Sequence, residues 1–204
     1  MTDTPENVRL SPDGTGVIIL DQTQLPGRRV FLTLTTPEEM YEAIRSLRVR
    51  GAPAIGVCAG MCLSALAHQR AHLERPAFDT WLREQADYLA SSRPTAVNLS
   101  WALRRMAALL ELPLPLPELL DRLEAEARAI QAEDISMCEK ISRYGLSLLH
   151  PGDGAHPLQR RPSGYLLLWH RPGPSPSGRP GGIPSQNFCR RDPAPPSGGP
   201  AHRL

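Results

Sequence analysis

The sequence predicts an α+β domain in which a small antiparallel sheet precedes a helical bundle, followed by a disordered tail. Two short apolar runs, at residues 17–21 and 30–34, are typical of strands and flank a Pro26-Gly27 turn. Apolar residues then recur at helical spacing from residue 37 to about residue 150. Beyond Pro151 the helical spacing ends, which predicts that the ordered domain ends there too.

The first helix has a clear N-terminus. Thr36 is placed to cap it, Pro37 suits its first position, and Glu39 completes a capping box with Thr36. The predicted apolar face of this helix consists of Met40, Ile44 and Leu47.

A second helix is predicted from Pro53 to Gln69, and it is apolar on nearly every side. That pattern indicates a helix buried at the centre of the bundle. Gly56 and Gly60 lie one turn apart on it, so a neighbouring element is expected to approach closely there.

Three further helical segments follow. A third helix is predicted around Phe78, Trp81, Leu82 and Leu89, and a fourth is expected to begin at Pro94. After the break at Pro113–Pro117, the spacing predicts one long fifth helix or a closely spaced pair. Its apolar positions are Leu119, Leu123, Ile130, Met137, Ile141, Tyr144 and Leu148.

Two stretches share a pattern suited to binding phosphate. In each, an arginine (Arg50 or Arg93) comes shortly before a proline that is expected to begin a helix. The first N–H groups of a helix have no internal partner, and an adjacent guanidinium offers a planar fork to anionic oxygens. Gly51 would let the backbone approach a ligand. By spacing alone, however, arginines that merely occupy turns before helices are the commoner explanation of such short patterns.

Other candidates are weaker. Cys58 and Cys62 lie one turn apart on the buried helix, where small buried side chains are expected rather than metal ligands. His68 and His72 share a helix face but have no third ligand nearby in sequence, so no metal site is predicted.

Residues 151–204 differ in composition from residues 1–150. The last 50 residues, 155–204, hold 11 of the 22 prolines, together with seven arginines and one acidic residue, Asp192. They carry about +6 and the preceding residues about −4, which gives the net charge of +2. The positive charge therefore belongs to a tail predicted to be disordered, and it indicates no nucleic-acid surface.

The rest of the composition indicates a cytoplasmic protein. No signal peptide and no membrane-spanning run is evident, and the four cysteines have no disulfide-framework spacing.

Three strings together resemble the methylthioribose-1-phosphate isomerase family. They are DQTxLP at residues 21–26, AIRxLxVRGAPAIGV at residues 43–57 and RPTAVNL at residues 93–99, in the family's order and spacing. The resemblance covers about residues 8–150. Cys138 and Ser142 depart from it, because the family usually has asparagine and glycine at these positions.

The resemblance implies a small sheet-plus-helix N-terminal domain followed by a larger Rossmann-like domain. It implies that Arg50, Gly51, Ala52 and Arg93 hold a sugar phosphate. The family reaction converts 5-methylthioribose 1-phosphate, an aldose, into the open-chain ketose 5-methylthioribulose 1-phosphate during methionine salvage, without a cofactor.

The resemblance also implies a homodimer for an intact member. Two alternatives stay open: the related ribose-1,5-bisphosphate isomerase, and a non-catalytic module of the same family that binds a sugar phosphate or a partner. No nucleic-acid or membrane partner is expected.

After residue 154 the resemblance continues only in another reading frame. With synonymous third bases chosen freely, Ala155–Arg161 can be encoded so that a one-base shift gives LTHCNA and the start of a glycine codon. That string contains the family's catalytic cysteine. The same shift yields two more family strings, over residues 161–175 and 187–204. We therefore expect a one-base insertion or two-base loss near Gly154, so that the Rossmann-like domain with the catalytic cysteine and aspartate is missing from this chain and the chain is inactive.

Overall fold

The structure, a computed structural model, describes residues 7–147. A three-stranded antiparallel sheet comes first, in the order β1-β2-β3. Its strands are β1 (Val8–Leu10), β2 (Val17–Leu20) and β3 (Phe31–Leu34). The described part of the chain then contains five α helices: α1 (Pro37–Arg45), α2 (Ala52–Gln69), α3 (Arg75–Ser91), α4 (Val97–Ala107) and α5 (Leu116–Ser147). The predicted tail, residues 151–204, lies outside the described residues.

The sheet confirms the two predicted strands and adds a third. Ile19 of β2 pairs with Val8 on one side and with Leu32 on the other. The first strand was not predicted because three residues are too few to establish an alternating pattern. Val8 and Ile19 are buried against the helices, so this short strand completes one wall of the core.

The predicted capping box at the start of α1 is present. The Glu39 amide donates to Thr36 Oγ1 at 3.2 Å, and the Thr36 amide donates to Glu39 Oε2 at 3.1 Å. Met40 and Ile44 are fully buried, as the apolar spacing predicted. Leu47 is not part of this helix, which ends at Arg45.

Helix α2 is the buried centre of the bundle. Each residue from Ala54 to Ala67 is buried. The helix is long and apolar enough to cross a membrane by length and composition, but it is 78% buried inside the fold, as expected of a core helix. Both predicted close approaches occur. A Cβ atom at Gly56 would lie 3.0 Å from the Asn98 carbonyl oxygen of α4, and one at Gly60 would lie 3.3 Å from Ile130 Cδ1 of α5.

Helix α5 is one continuous helix of 32 residues, so the alternative of a closely spaced pair is wrong. Its first half packs on the core through Leu119, Leu123 and Ile130. The same apolar spacing continues in its second half, but there Met137 is 59% and Ile141 is 55% exposed. The apolar stripe therefore runs beyond the helices that cover it.

Candidate functional site

The loop between α1 and α2 begins with an unusual helix end. Leu47 has φ 58°, in the left-handed region that a branched residue rarely adopts. The Leu47 amide donates to the Ile44 carbonyl at 3.3 Å and the Arg48 amide donates to the Ala43 carbonyl at 3.0 Å. These two bonds form a Schellman motif, in which glycine usually occupies the position of Leu47. The expectation that Leu47 belongs to the helical face was wrong because this motif ends the helix two residues earlier.

Arg48 then ties the loop to the sheet. Its Nη1 donates to Asp21 Oδ2 at 2.7 Å, and its Nε donates to Glu42 Oε2 at 2.8 Å. The Arg48 carbonyl also accepts a bond from the Gln22 amide at 2.9 Å. The sequence did not predict this contact, because the two residues lie 27 positions apart. The signal available was an aspartate directly after the buried strand β2, since a buried carboxylate requires a partner.

Asp21 is buried, with its side chain 2% exposed. It also accepts from the Thr23 amide at 3.0 Å and so caps the short 3-10 helix Gln22–Gln24. Burial opposes ionisation of Asp21, but the hydrogen bonds from Thr23 and Arg48 outweigh it and hold the pKa of the carboxyl below its ordinary value of 3.8. The hydrogen bonds to Glu42 and to Asp21 in turn raise the pKa of Arg48, so Arg48 and Asp21 are both charged at neutral pH.

Arg50, Gly51 and Ala52 follow this anchor at the start of α2. Gly51 occupies the N-cap position with φ 102°, a conformation that favours glycine. Its carbonyl accepts the first helical bond, from Ile55 at 2.9 Å. Pro53 has no N–H group, so the first turn leaves the Ala52 and Ala54 amides without a helical acceptor, and of these two residues Ala52 is exposed and Ala54 is buried. Arg50 and Ala52 are both exposed.

Arg93 lies in a different kind of loop. The Ala96 amide donates to the Arg93 carbonyl at 2.9 Å, which closes a turn over Arg93–Ala96, and α4 begins only at Val97. The expectation that Pro94 opens this helix was therefore wrong. Proline suits the second position of a type I turn as well as the first position of a helix, and here the turn is formed. The N-cap residue Ala96 has no side chain able to bond the first turn.

The two loops lie close together. Asn98 is the second residue of α4, and its carbonyl oxygen is the atom that a Cβ at Gly56 would meet. Gly56 lies four residues after Ala52, or about 6 Å along the axis of α2. The second turn of α2 therefore packs against the first turn of α4, so the loops that carry Arg50 and Arg93 precede the ends of the two helices that lie nearest this contact.

Neither arginine is paired. Within residues 7–147 the guanidinium groups of Arg50 and Arg93 make no hydrogen bond or ion pair. Several other arginines do have carboxylate partners, including Arg48, Arg75 and Arg105. Two guanidinium groups that have no partner among residues 7–147, each in a loop before a helix N-terminus, are groups of the kind that bind anions.

Cys58, Cys62 and His68 lie in α2, whereas His72 follows the end of that helix at Gln69, so the expectation that His68 and His72 share a helix face was wrong. Cys58 and Cys62 are buried with their sulfur atoms 3.8 Å apart, and burial with the neighbouring thiol raises the pKa of Cys62. His68 Nε2 lies 3.4 Å from Glu124 Oε2, whereas His72 is exposed. Among the described residues, no cluster of three histidine, cysteine or acidic side chains could hold a metal ion.

The described residues form an α+β domain in which the loops before α2 and α4 each carry an arginine. Residues 48–155 match the Initiation factor 2 subunit family, which is just over half of the chain. The chain belongs to this family.

Among its relatives, a methylthioribose-1-phosphate isomerase from Symbiobacterium thermophilum is 50% identical over 153 residues, covering 73% of this chain and 42% of the relative. A 5-deoxyribose 1-phosphate isomerase from Petrotoga mobilis is 44% identical, covering 76% of this chain and 44% of the relative. The chain thus spans less than half the length of either relative.

A solved structure shares the fold. The crystal structure of a 5-methylthioribose 1-phosphate isomerase from Pyrococcus horikoshii OT3 superposes with a TM-score of 0.70 at 30% identity. The match covers 82% of this chain and 47% of that chain. Each of these proteins is a relative, and together they support the family resemblance found in the strings around Arg50 and Arg93.

Proposed function

We propose that this chain supplies the sugar-phosphate-binding N-terminal domain of a methylthioribose-1-phosphate isomerase of methionine salvage. One observation carries the proposal: Arg50 and Arg93 have no partner among residues 7–147, and they precede two helices whose N-terminal parts pack together at Gly56 and Asn98. The names of the Symbiobacterium and Pyrococcus relatives indicate the phosphorylated sugar that such a site would hold.

The chemistry of the site fits a phosphate monoester. Each guanidinium can donate two parallel bonds to phosphate oxygens, and the Ala52 amide adds a donor at the positive end of the α2 dipole. Gly51 allows the backbone to approach the ligand without a Cβ in the way. Binding at these groups would hold the anomeric phosphate while the sugar ring opens and the aldose becomes the ketose.

The acid–base step itself is not assigned to the described residues. The family resemblance puts a cysteine and an aspartate of a second domain in that role. We also propose that the reading frame changes near Gly154, and the end of the family match at residue 155 supports this position. The homodimer and the cytoplasmic location of the complete enzyme are part of the same proposal.

The substrate could differ within one chemical class. The Petrotoga relative is named for 5-deoxyribose 1-phosphate, which, like methylthioribose 1-phosphate, is a pentose 1-phosphate without an oxygen on C5. Ribose 1,5-bisphosphate carries a second phosphate there and would need further cationic groups. The family name leaves a second candidate function, a non-catalytic regulatory module, because it refers to a translation initiation factor.

An isomerase assay separates these candidates. The 204-residue chain and a version with the frame restored, by removing one base or adding two near Gly154, are each given 5-methylthioribose 1-phosphate and, separately, ribose 1,5-bisphosphate. We expect turnover by the restored protein and none by the chain itself, since the family's catalytic strings are absent from its frame. Turnover of ribose 1,5-bisphosphate instead, or of neither sugar, would favour the alternatives.

The DNA sequence gives an independent check. If the shifted frame lacks the LTHCN string and the family string expected over residues 187–204, the frame proposal is contradicted. The assignment of Arg50 and Arg93 to phosphate binding would then remain to be tested on its own.

A further inference from the structure

The three charged residues Asp21, Glu42 and Arg48, here called the clamp, hold the loop that presents Arg50. Arg48 uses all three guanidinium nitrogens: Nη1 to Asp21 at 2.7 Å, Nε to Glu42 at 2.8 Å, and Nη2 to Glu42 at 3.1 Å. Three elements are joined in this way, because Asp21 follows β2, Glu42 lies in α1 and Arg48 lies in the loop itself.

The main chain of Arg48 is fixed as firmly as its side chain. Its amide donates to Ala43 at 3.0 Å and its carbonyl accepts from Gln22 at 2.9 Å. With the side chain and both backbone groups bonded, Arg48 has little freedom to move relative to the sheet. Asp21 also requires this ion pair, because a carboxylate that is only 2% exposed would destabilise the folded state without a cationic partner.

The distance from the clamp to the proposed phosphate site is short. Val49, which is 1% exposed, and Arg50 are the two residues between Arg48 and Gly51. Two residues span at most about 7 Å, so a shift of Arg48 is passed directly to the backbone of Arg50. The first turn of α2 restrains the backbone on the C-terminal side of Arg50. If the clamp were removed, only this restraint would hold the Arg50 backbone in place.

We propose that Arg48 is a positioning residue, which acts through the main chain to aim Arg50 and the Ala52 amide at a phosphate group. This inference rests on the proposed function and adds to it a residue that makes no contact with the ligand. Three of the five N–H donors of Arg48 are bonded to Asp21 and Glu42, and these two carboxylates already balance its charge, so its part in the site is to hold the loop.

The experiment uses the 204-residue chain with inorganic phosphate as the probe, followed through the amide NMR signals of Gly51 and Ala52. Arg48→Met removes the clamp but keeps an unbranched side chain. Arg45→Met is the matched control, since Arg45 is exposed, lies three residues away and makes no side-chain bond to any described residue. Both variants remove one positive charge from the same region, so any long-range effect of charge on phosphate is shared.

We expect Arg48→Met to weaken phosphate binding about tenfold or more, as small displacements of binding groups do, and Arg45→Met to change it less than about twofold. Without phosphate, amide hydrogen exchange in Arg48→Met should rise at residues 50–52 and stay unchanged in the middle of α2. Arg48→Lys, which keeps a cation beside Asp21, should recover part of the affinity, and it supplies the test if Arg48→Met does not fold.

Equal affinities in Arg48→Met and Arg45→Met would overturn the positioning role. So would faster exchange throughout α2, because the affinity loss would then come from general instability. Arg50→Ala distinguishes the two proposals. If it weakens phosphate binding and the Arg48 variants do not, the positioning role alone fails. If wild type does not bind phosphate, or Arg50→Ala binds it equally well, the proposed function fails together with the positioning role.

Discussion

The loops that precede α2 and α4 carry the same arrangement of arginine before proline, yet they are built differently. Arg50 is exposed, sits two residues after an ion-paired anchor, and leads through Gly51 straight into α2. Arg93 is half-buried in a turn that delays α4 until Val97. The comparison shows that a proline after an arginine does not decide where a helix begins. The backbone bonds available to the neighbouring residues decide it.

Each loop also obtains its rigidity from a different source. The first is restrained by the charged pair Arg48–Asp21, which crosses between the helices and the sheet. The second is restrained locally, by the Ala96-to-Arg93 bond and by the buried Ser92, whose hydroxyl donates to the Leu89 carbonyl at 2.6 Å. Residues distant in sequence can therefore disturb Arg50, whereas changes within the turn itself should matter most for Arg93.

The largest effect is expected when either arginine is removed from a frame-restored enzyme. Arg50→Ala and Arg93→Ala should each remove charge-assisted hydrogen bonds of about 1.5–3 kcal/mol, or roughly 10–150-fold in kcat/KM. Arg104→Ala, which removes an exposed arginine of α4, is the control and should retain nearly full activity. Steady-state kinetics would measure the activity of these variants, and thermal unfolding would measure their stability. Wild-type kinetics in the Arg50 and Arg93 variants would mean that these residues serve only the turns.

The second largest effect is expected at the contact between Gly56 of α2 and Asn98 of α4. Gly56→Ala would press a Cβ against the Asn98 carbonyl at 3.0 Å, and a backbone atom cannot rotate away. We expect a loss of about 1–3 kcal/mol in the free energy of unfolding. Gly60→Ala meets only the tip of the Ile130 side chain at 3.3 Å and gains helix propensity, so it should be much milder. Chemical denaturation of both variants tests this order, and equal losses would contradict it.

Lowering the pH should weaken the Arg48–Asp21 ion pair but not the turn over Arg93–Ala96. Asp21 has a folded pKa below 3.8, so it stabilises the folded state above that value and the contribution is lost as the pH falls through the folded pKa. At pH 7, Asp21→Asn should cost about 1–3 kcal/mol. The difference from wild type should shrink as the pH is lowered below 3.8. Asp87→Asn, at an exposed position of α3, should show no such convergence in unfolding experiments across this range.

Serine introduced at the two N-cap positions should change the stability of the fold in opposite directions. Ala96→Ser gives α4 a side-chain cap that it lacks and should add about 1 kcal/mol of stability. Gly51→Ser puts a side chain at φ 102° and should cost about 1–2 kcal/mol despite the added hydroxyl. Melting temperatures of the two single variants would decide. A gain in both would show that the Gly51 backbone relaxes without strain.

The smallest expected effect concerns Leu47. Leu47→Ala loses packing and keeps the left-handed strain, while Leu47→Gly loses the same packing but relieves the strain. Glycine should therefore be more stable than alanine here by about 1 kcal/mol. At Arg45, the last residue of α1, the backbone is helical, so Arg45→Ala should be more stable than Arg45→Gly. Denaturation curves for the two pairs of variants test the reversal.

By itself, the sequence determined the local features whose causes lie within a few residues. The Thr36–Glu39 capping box and the buried length of α2 follow from short-range bonding and from an apolar pattern, and both were predicted. The positions of Arg50 and Gly51 before α2 were predicted for the same reason. The family strings then linked these residues to a sugar phosphate, which composition and spacing could not do.

Tertiary structure decided what depends on residues distant in the chain. The pairing of Arg48 with Asp21, 27 residues away, cannot be seen in any local window, because either side chain could equally well be solvated. The left-handed conformation of Leu47 is tolerated only because the neighbouring contacts hold it. The meeting of Gly56 with Asn98, which brings the two arginine loops together, likewise arises from helix packing, since side-chain periodicity specifies the buried face of a helix but not its neighbour.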